Sequence, residues 1–149
     1  MANLPSYSYP GGEWARDTYH YSQAIRVGDT IQLSGQGGWD RTSVKVKEDL
    51  REEVDQAFDN VEFALKHAGG KGWSQVYRVN TYSTDMDATQ EHIVRNFKRW
   101  MPNHQPTWTD IGVKKLGLDG MRIEVEVQAY DEEGAAEAKK AKATEGTSQ

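Results

Sequence analysis

Apolar residues recur at helical spacing through the middle of the chain. Leu50, Val54, Ala57, Phe58, Val61, Ala64, Leu65 and Ala68 fall on one stripe of an amphipathic helix. Acids gather before and within its start (Glu48, Asp49, Glu52, Glu53), and Lys66 and His67 lie at its end, a distribution that suits the helix dipole. Gly69-Gly70 stops it after about five turns. A different period rules residues 121–130, where Met121, Ile123, Val125, Val127 and Ala129 alternate with Arg122, Glu124, Glu126, Gln128 and Tyr130. That is a strand with one apolar face. Two β-prone runs, 24–27 and 30–34, flank Gly28-Asp29 and predict a hairpin. The loop Gly35-Gln36-Gly37-Gly38 follows. Residues 75–83 read as a strand. Thr84-Asp85-Met86-Asp87 offers caps for a second helix, with Ile93, Phe97 and Met101 on one side and Pro102 ending it. Residues 107–115 read as a strand with Ile111 and Val113 on one face, and 117–120 as a turn. The order β-β-α-β-α-β-β predicts an α+β sandwich, two helices on one face of a mixed sheet.

From 132 to 149 the periodicity disappears. This stretch has no aromatic or β-branched aliphatic residue and offers little burial to offset its ordering entropy. It reads as a polar mobile tail, at most a frayed helix over 135–143, behind a single domain at 1–131. The whole chain, 149 residues, is long enough for one core. Its net charge of −5 argues against nucleic acid as a partner, because phosphate binding needs a basic face. The absence of Cys excludes disulfides and thiolate chemistry. The first ten residues carry no basic region followed by an apolar run, and no stretch approaches a membrane span, so the expectation is a cytoplasmic protein. Five Trp and seven Tyr are many for this length and suit a pocket or an interface as well as a core.

Several chemical signatures fail. The Gly-rich loop at 35–38 is not followed by Lys-Ser/Thr and lacks dinucleotide spacing. Ser34 stands in Leu-Ser-Gly, outside a nucleophile elbow. His20, His67, His92 and His104 have no metal-ligand spacing, so neither a metal nor a cofactor is expected.

An ordered set of short pieces does carry a signal. Tyr21-Ser22-Gln23-Ala24-Ile25, Val27-Gly28-Asp29-Thr30 and Leu33-Ser34-Gly35-Gln36 come first. The helix closed by Gly69-Gly70 follows, then the strand at 76–83. Pro106, Val113, Leu116 and Ile123-Glu124-Val125-Glu126 come last. Together these resemble the Rid family of reactive intermediate deaminases (YjgF-like). The resemblance implies a chorismate-mutase-like α+β fold and a homotrimer with small-molecule clefts between subunits. In standard members an arginine two residues after the proline holds the carboxylate of a 2-imino or 2-enamino acid. A glutamate on the last strand helps position the attacking water, and a tyrosine and a Ser-Gly pair complete the wall.

Carried over, Tyr21, Ser34, Gly35 and Glu126 are retained, with Trp39 added by the loop that follows. Trp108 stands at the arginine position and Asp110 two residues later. An indole has one N–H and no charge and cannot replace a guanidinium fork. Asp110 and Glu126 as a close pair would repel an anion and could serve as acid and base. A neutral, aromatic or cationic ligand stacked on Trp108 and Trp39 would then be preferred. Structural readings stand beside these. Trp108 suits interface packing and Asp110 a solvated strand edge. Glu126 suits an ion pair with Arg122, and Tyr21 a core position. Three functions follow. The first is a divergent Rid-type hydrolase or deaminase using Glu126 and Asp110. The second is a ligand-binding or regulatory trimer without chemistry. The third and weaker is standard imino-acid deamination or a ribonuclease-type activity.

Overall fold

The computed structural model describes residues 3–146. Its elements are β1 (Ser6–Tyr7), α1 (Trp14–Tyr19), β2 (Ala24–Val27), β3 (Thr30–Leu33), β4 (Gln36–Gly37), α2 (Leu50–His67), β5 (Val76–Ser83), α3 (Met86–Trp100), β6 (Thr107–Gly112), β7 (Ile123–Tyr130) and α4 (Glu132–Gly146), with a 3-10 turn at Gly72–Gln75. The strands form one sheet in the order β1-β2-β3-β7-β5-β6, with β4 added beside β7. Only the β5–β6 pair is parallel, and α3 connects its two strands, so the sheet is mixed as the element order predicts. Among the described residues no helix is long and apolar enough to cross a membrane.

The core lies between the sheet and the pair α2 and α3. The apolar stripe of α2 is buried from Val54 to Leu65 and meets Ile123, Val125, Val127 and Ala129 of β7. Phe58 stacks on Trp73 with centroids 4.7 Å apart. The caps are those the composition offers. Asp49 accepts from the Glu52 amide at 3.0 Å and Asp85 from the Ala88 amide at 3.1 Å. Glu53 is fully buried on α2, and its two oxygens take the Arg122 amide and Nε, each at 2.6 Å. This pins the start of β7 to the N-terminal end of α2.

Two expectations change. β6 ends at Gly112 rather than near 115, so Val113 falls outside it, and the residues it turns toward the helices are Trp108 and Asp110. Trp108 pairs with Val79 on the core side and packs edge-on against Phe97 of α3 at 5.1 Å, leaving Ile111 exposed. One large indole against the helix layer outweighs the small aliphatic pair. The stretch read as a tail forms α4 over Glu132–Gly146. Its first turn is fastened, because Asp131 accepts from the Gly134 amide at 3.1 Å and Ala135 is buried. The same carboxylate pairs with Arg26 of β2 at 2.7 Å, both side chains almost fully buried. Residues 147–149 of that stretch lie outside the described residues.

Candidate active site

On the sheet face away from α2, a recess of 180 Å³ opens beside the end of α1. Its aromatic wall is Trp14, Tyr19, Tyr21 and Trp39. Leu118 and Met121 of the β6–β7 connection close one side with Gly117, and Gly35 is the close-approach point. Glu124 of β7 supplies the single acid. α1 is only one and a half turns long, and it ends because His20 takes a left-handed conformation with φ 60°. The turn folds back so that the Tyr21 amide donates to the Ala15 carbonyl at 3.1 Å, which carries the Tyr21 ring to the wall. Trp14 is the hub, nearly perpendicular to Tyr19, Tyr21 and Trp39 with centroids 5.9, 6.4 and 5.5 Å away.

A buried polar chain holds the inner wall. Trp39 Nε1 donates to Tyr9 Oη at 3.2 Å, and Tyr9 Oη donates to Gln36 Oε1 at 2.9 Å. Gln36 Nε2 in turn donates to Gln23 Oε1 at 2.8 Å. Burial pushes the Tyr9 phenol up to about 12, so it stays neutral and the chain keeps its direction. These partners satisfy polar groups that would each cost about 1–3 kcal/mol if left alone. They also fix the Trp39 ring.

Glu124 differs from its neighbours on the strand. Burial raises its pKa, and the charge of Glu126 raises it further. No hydrogen bond reaches its carboxylate from any described residue. Its side chain lies across Gly35, where a Cβ would run into the Oε1, Cγ and Cδ atoms of the carboxyl arm. Gly35→Ala therefore has to displace the carboxyl. A shift of this kind is expected to lower turnover about 10²-fold while the protein still melts cooperatively, measured by kcat beside thermal denaturation. Tyr21 is raised by its own burial and by Glu124, so it faces the acid as a neutral phenol.

The residues singled out in the sequence divide into two groups. Tyr21, Gly35 and Trp39 meet in the recess. Ser34 adjoins it but is committed, its hydroxyl donating to the Ser22 carbonyl at 2.7 Å. Glu126 lies one ladder step further along the same face, where Oε1 accepts from Asn80 Nδ2 at 2.9 Å and Tyr82 Oη at 3.2 Å. Arg122 is not its partner, being taken by Glu53. Trp108 and Asp110 are elsewhere. Asp110 pairs with Thr81 and Glu126 with Asn80. Successive strand residues point to opposite faces, so the two carboxylates are separated by the sheet and form no close pair within one chain. Trp108 Nε1 donates to Thr81 Oγ1 at 2.8 Å, and Thr81 Oγ1 donates to Asp110 Oδ1 at 2.7 Å. Asp110 Oδ2 is buried without a partner. Trp108 also lines a separate groove of 480 Å³ with Phe97, Met101, His104 and Pro106.

Sequence reasoning passed over Trp14, Tyr19, Leu118, Met121 and Glu124. Glu124 and Glu126 are equivalent in alternation. Only the pairing of β4 with β7, Gly37 opposite Glu124, shows which of them meets the Gly35 loop. Among the described residues no group of three or more His, Asp or Glu is clustered to hold a metal ion.

Residues 15–131 match the family model described as Endoribonuclease L-PSP. The chain is 34% identical over 110 residues to the 2-iminobutanoate/2-iminopropanoate deaminase of Dermatophagoides farinae, covering 71% of this chain and 81% of that protein. It is 34% identical over 124 residues to the RutC family protein YjgH of Escherichia coli (strain K12), covering 81% and 91%. Among solved structures, protein YJGH superposes with a TM-score of 0.74 at 29% identity, covering 86% of this chain and 97% of that one. RidA from the Antarctic bacterium Psychrobacter sp. PAMC 21119 gives 0.68 at 28% identity, covering 74% and 87%. With most of its length matched by the family model and by these relatives, the chain belongs to the Endoribonuclease L-PSP family, the Rid/YjgF-like proteins.

Proposed function

We propose that this protein is a trimeric Rid-type hydrolase that opens the C=N bond of a small substrate lacking a carboxylate, with Glu124 as its acid–base group. The observation that carries this is Glu124 itself. It is a half-buried carboxyl with a raised pKa, free of hydrogen-bond partners, in the wall of an aromatic recess. In its protonated form Glu124 gives its proton to the imine nitrogen. As the carboxylate it takes a proton from the water that adds to the carbon. The C–N bond of the resulting carbinolamine then breaks, releasing an amine or ammonia and leaving a carbonyl. Glu126, fixed by Asn80 and Tyr82, serves as the charge that keeps Glu124 protonated long enough to act. Tyr21, Gly35 and Trp39 bind the substrate, and Ser34 shapes the turn that places Gly35.

Among the described residues no Lys, Arg or His lines the recess, and Trp108 stands at the position the family resemblance gives to arginine. A substrate carboxylate would find no counter-charge. In the proposed trimer the open edge of β6 faces a neighbour that covers the half-buried Trp108, while Asp110 Oδ2 stays enclosed within its own subunit.

The test is a pair of imines supplied to the same preparation, with its mass followed by light scattering. 2-Iminobutanoate generated in situ by an amino-acid oxidase should hydrolyse at the background rate. An aryl imine without a carboxylate should hydrolyse faster than background. Robust turnover of 2-iminobutanoate overturns the reading. A second reading, a ligand-binding trimer without chemistry, is favoured by one observation. Asp110 lies on the opposite face, which leaves a single carboxyl in the recess where two would divide acid and base work. Hydrolysis of neither imine selects it.

A further inference from the structure

We propose that the recess selects a small organic cation, a body the size of one ring carrying a protonated amine or iminium nitrogen, with the nitrogen against Glu124 and the body among Trp14, Tyr21 and Trp39. This deepens the functional reading and rests on the recess being the substrate site. Four observations lead to it.

Charge comes first. Glu124 is the only charged side chain of the lining, so an anionic ligand meets repulsion and a cation meets a partner. The second is hydrogen bonding. The half-buried Glu124 carboxylate accepts nothing from any described residue, which leaves both oxygens open to a ligand. A ligand N–H⁺ is the complementary group, and a charge-assisted bond is the stronger kind. The third is the wall. Trp14, Tyr21 and Trp39 are set edge to face, so ring faces and edges alternate around the opening, and aromatic faces attract cations. Their phenol and indole groups add no competing charge, since burial and Glu124 hold Tyr21 neutral. The fourth is size. The 180 Å³ of the recess is close to the roughly 150 Å³ apolar cavity known to accept benzene. One ring fits, and a second would have to leave through the mouth beside Tyr19, which is exposed.

The titratable groups coupled to Glu124 are Glu126 on its own strand, Tyr82 on β5 and Tyr21 after α1. Both tyrosines are raised, so their phenols stay neutral and add no competing charge. A bound cation offsets the Glu126 charge that raises the Glu124 pKa, and its binding should weaken as pH falls and Glu124 takes up its proton.

The experiment titrates the full-length protein at neutral pH with benzylammonium, benzyl alcohol and benzoate, which share a ring and differ in charge. Tryptophan fluorescence reports Trp14 and Trp39, and calorimetry confirms the binding. Benzylammonium should bind about tenfold tighter than benzyl alcohol, with benzoate the weakest. Glu124→Gln should erase the preference for the amine over the alcohol. Thermal melting of the variant establishes that it is folded. Equal binding of all three probes overturns the proposal, as does tightest binding of benzoate, binding of none, or an amine preference that survives Glu124→Gln. Because no turnover is measured, the outcome is separable from the hydrolytic reading. Amine selectivity without hydrolysis leaves this inference standing and removes the chemistry. Hydrolysis without amine selectivity does the reverse.

Discussion

Glu124→Gln is expected to abolish most hydrolysis, by about 10²–10⁴-fold in kcat, and to make the protein more stable at neutral pH. The two effects share one cause. The carboxyl is held in the recess with no hydrogen bond, burial disfavours its charged form, and Glu126 adds like charge. Its pKa in the folded protein therefore lies above the ordinary 4.5. Below 4.5 both folded and unfolded chains hold the proton and the penalty is absent. As pH rises from there through the raised value, the unfolded chain has released its proton while the folded chain retains it. Stability then falls with pH across that window. Above it the folded protein carries an unpaired half-buried charge. Glutamine keeps the shape and removes the charge, so the variant should melt about 3 °C higher at neutral pH. The gain should vanish in acid, where the wild type is protonated too. Calorimetric melts of both proteins at neutral and acid pH, beside kcat on the preferred imine, check both halves. A variant that is inactive but no more stable would mean that Glu124 is well solvated in the free protein.

Asp131→Ala should be the most damaging single substitution outside the apolar core, costing about 3–5 kcal/mol. Asp131 is 1% exposed and Arg26 is 3% exposed, so removing the acid leaves a guanidinium in a nearly dry site. Arg26 Nε already lacks a partner there. The loss also takes away the acceptor for Gln75 Nε2 at 3.0 Å and the cap of α4. In the folded protein burial acts to raise the Asp131 pKa. The hydrogen bonds from Arg26, Gly134 and Gln75 outweigh it, and the net position is below 3.8. Its contribution is thus present above 3.8 and is lost as pH falls through the depressed value. The variant should melt about 10 °C lower at neutral pH, and the difference should narrow in acid. Denaturant melts across pH test this. The fraction that remains folded should still discriminate amine from alcohol, because the pair lies far from the recess along β2 and β7. An unchanged melting temperature would show that α4 and its anchor contribute nothing to stability.

Long periodic segments were legible before any coordinates. The stripe of α2 and the alternation of β7 depend on repeats that span many residues and are realised in the helix and the strand, and the capping segment before α3 supplies Asp85. The short elements were not legible. β1 and β4 have two residues each, too few to show a period, yet β4 decides the site because its pairing selects Glu124 over Glu126. α1 was hidden for a similar reason. Its single inward residue is Ala15, and its tryptophan turns to the recess rather than the core. β6 was read three residues too long and its facing was left open, because on an edge strand with one sheet neighbour the facing follows its largest side chain, and Trp108 packs into the helix layer. α4 was underrated because its anchor is one buried ion pair between Arg26 and Asp131, distant in sequence and silent in composition. The recess itself is assembled from three separate stretches, 14–21, 35–39 and 117–124, so no window along the chain contains it.

The chain of bonds from Trp108 through Thr81 to Asp110 has a direction that cannot be reversed. An indole nitrogen can only donate, so the Thr81 hydroxyl must spend its own proton on Asp110. The two positions are thereby tied through one hydroxyl, and a change at either acts on the other. An arginine placed at 108 alone would bring a forked cation where the indole brings one neutral donor, within reach of a carboxylate that would neutralise it. A guanidinium able to hold an external anion would need Asp110 to change in the same step. Tryptophan and aspartate at these places act as one unit, so gaining a free guanidinium there takes a pair of substitutions rather than either one.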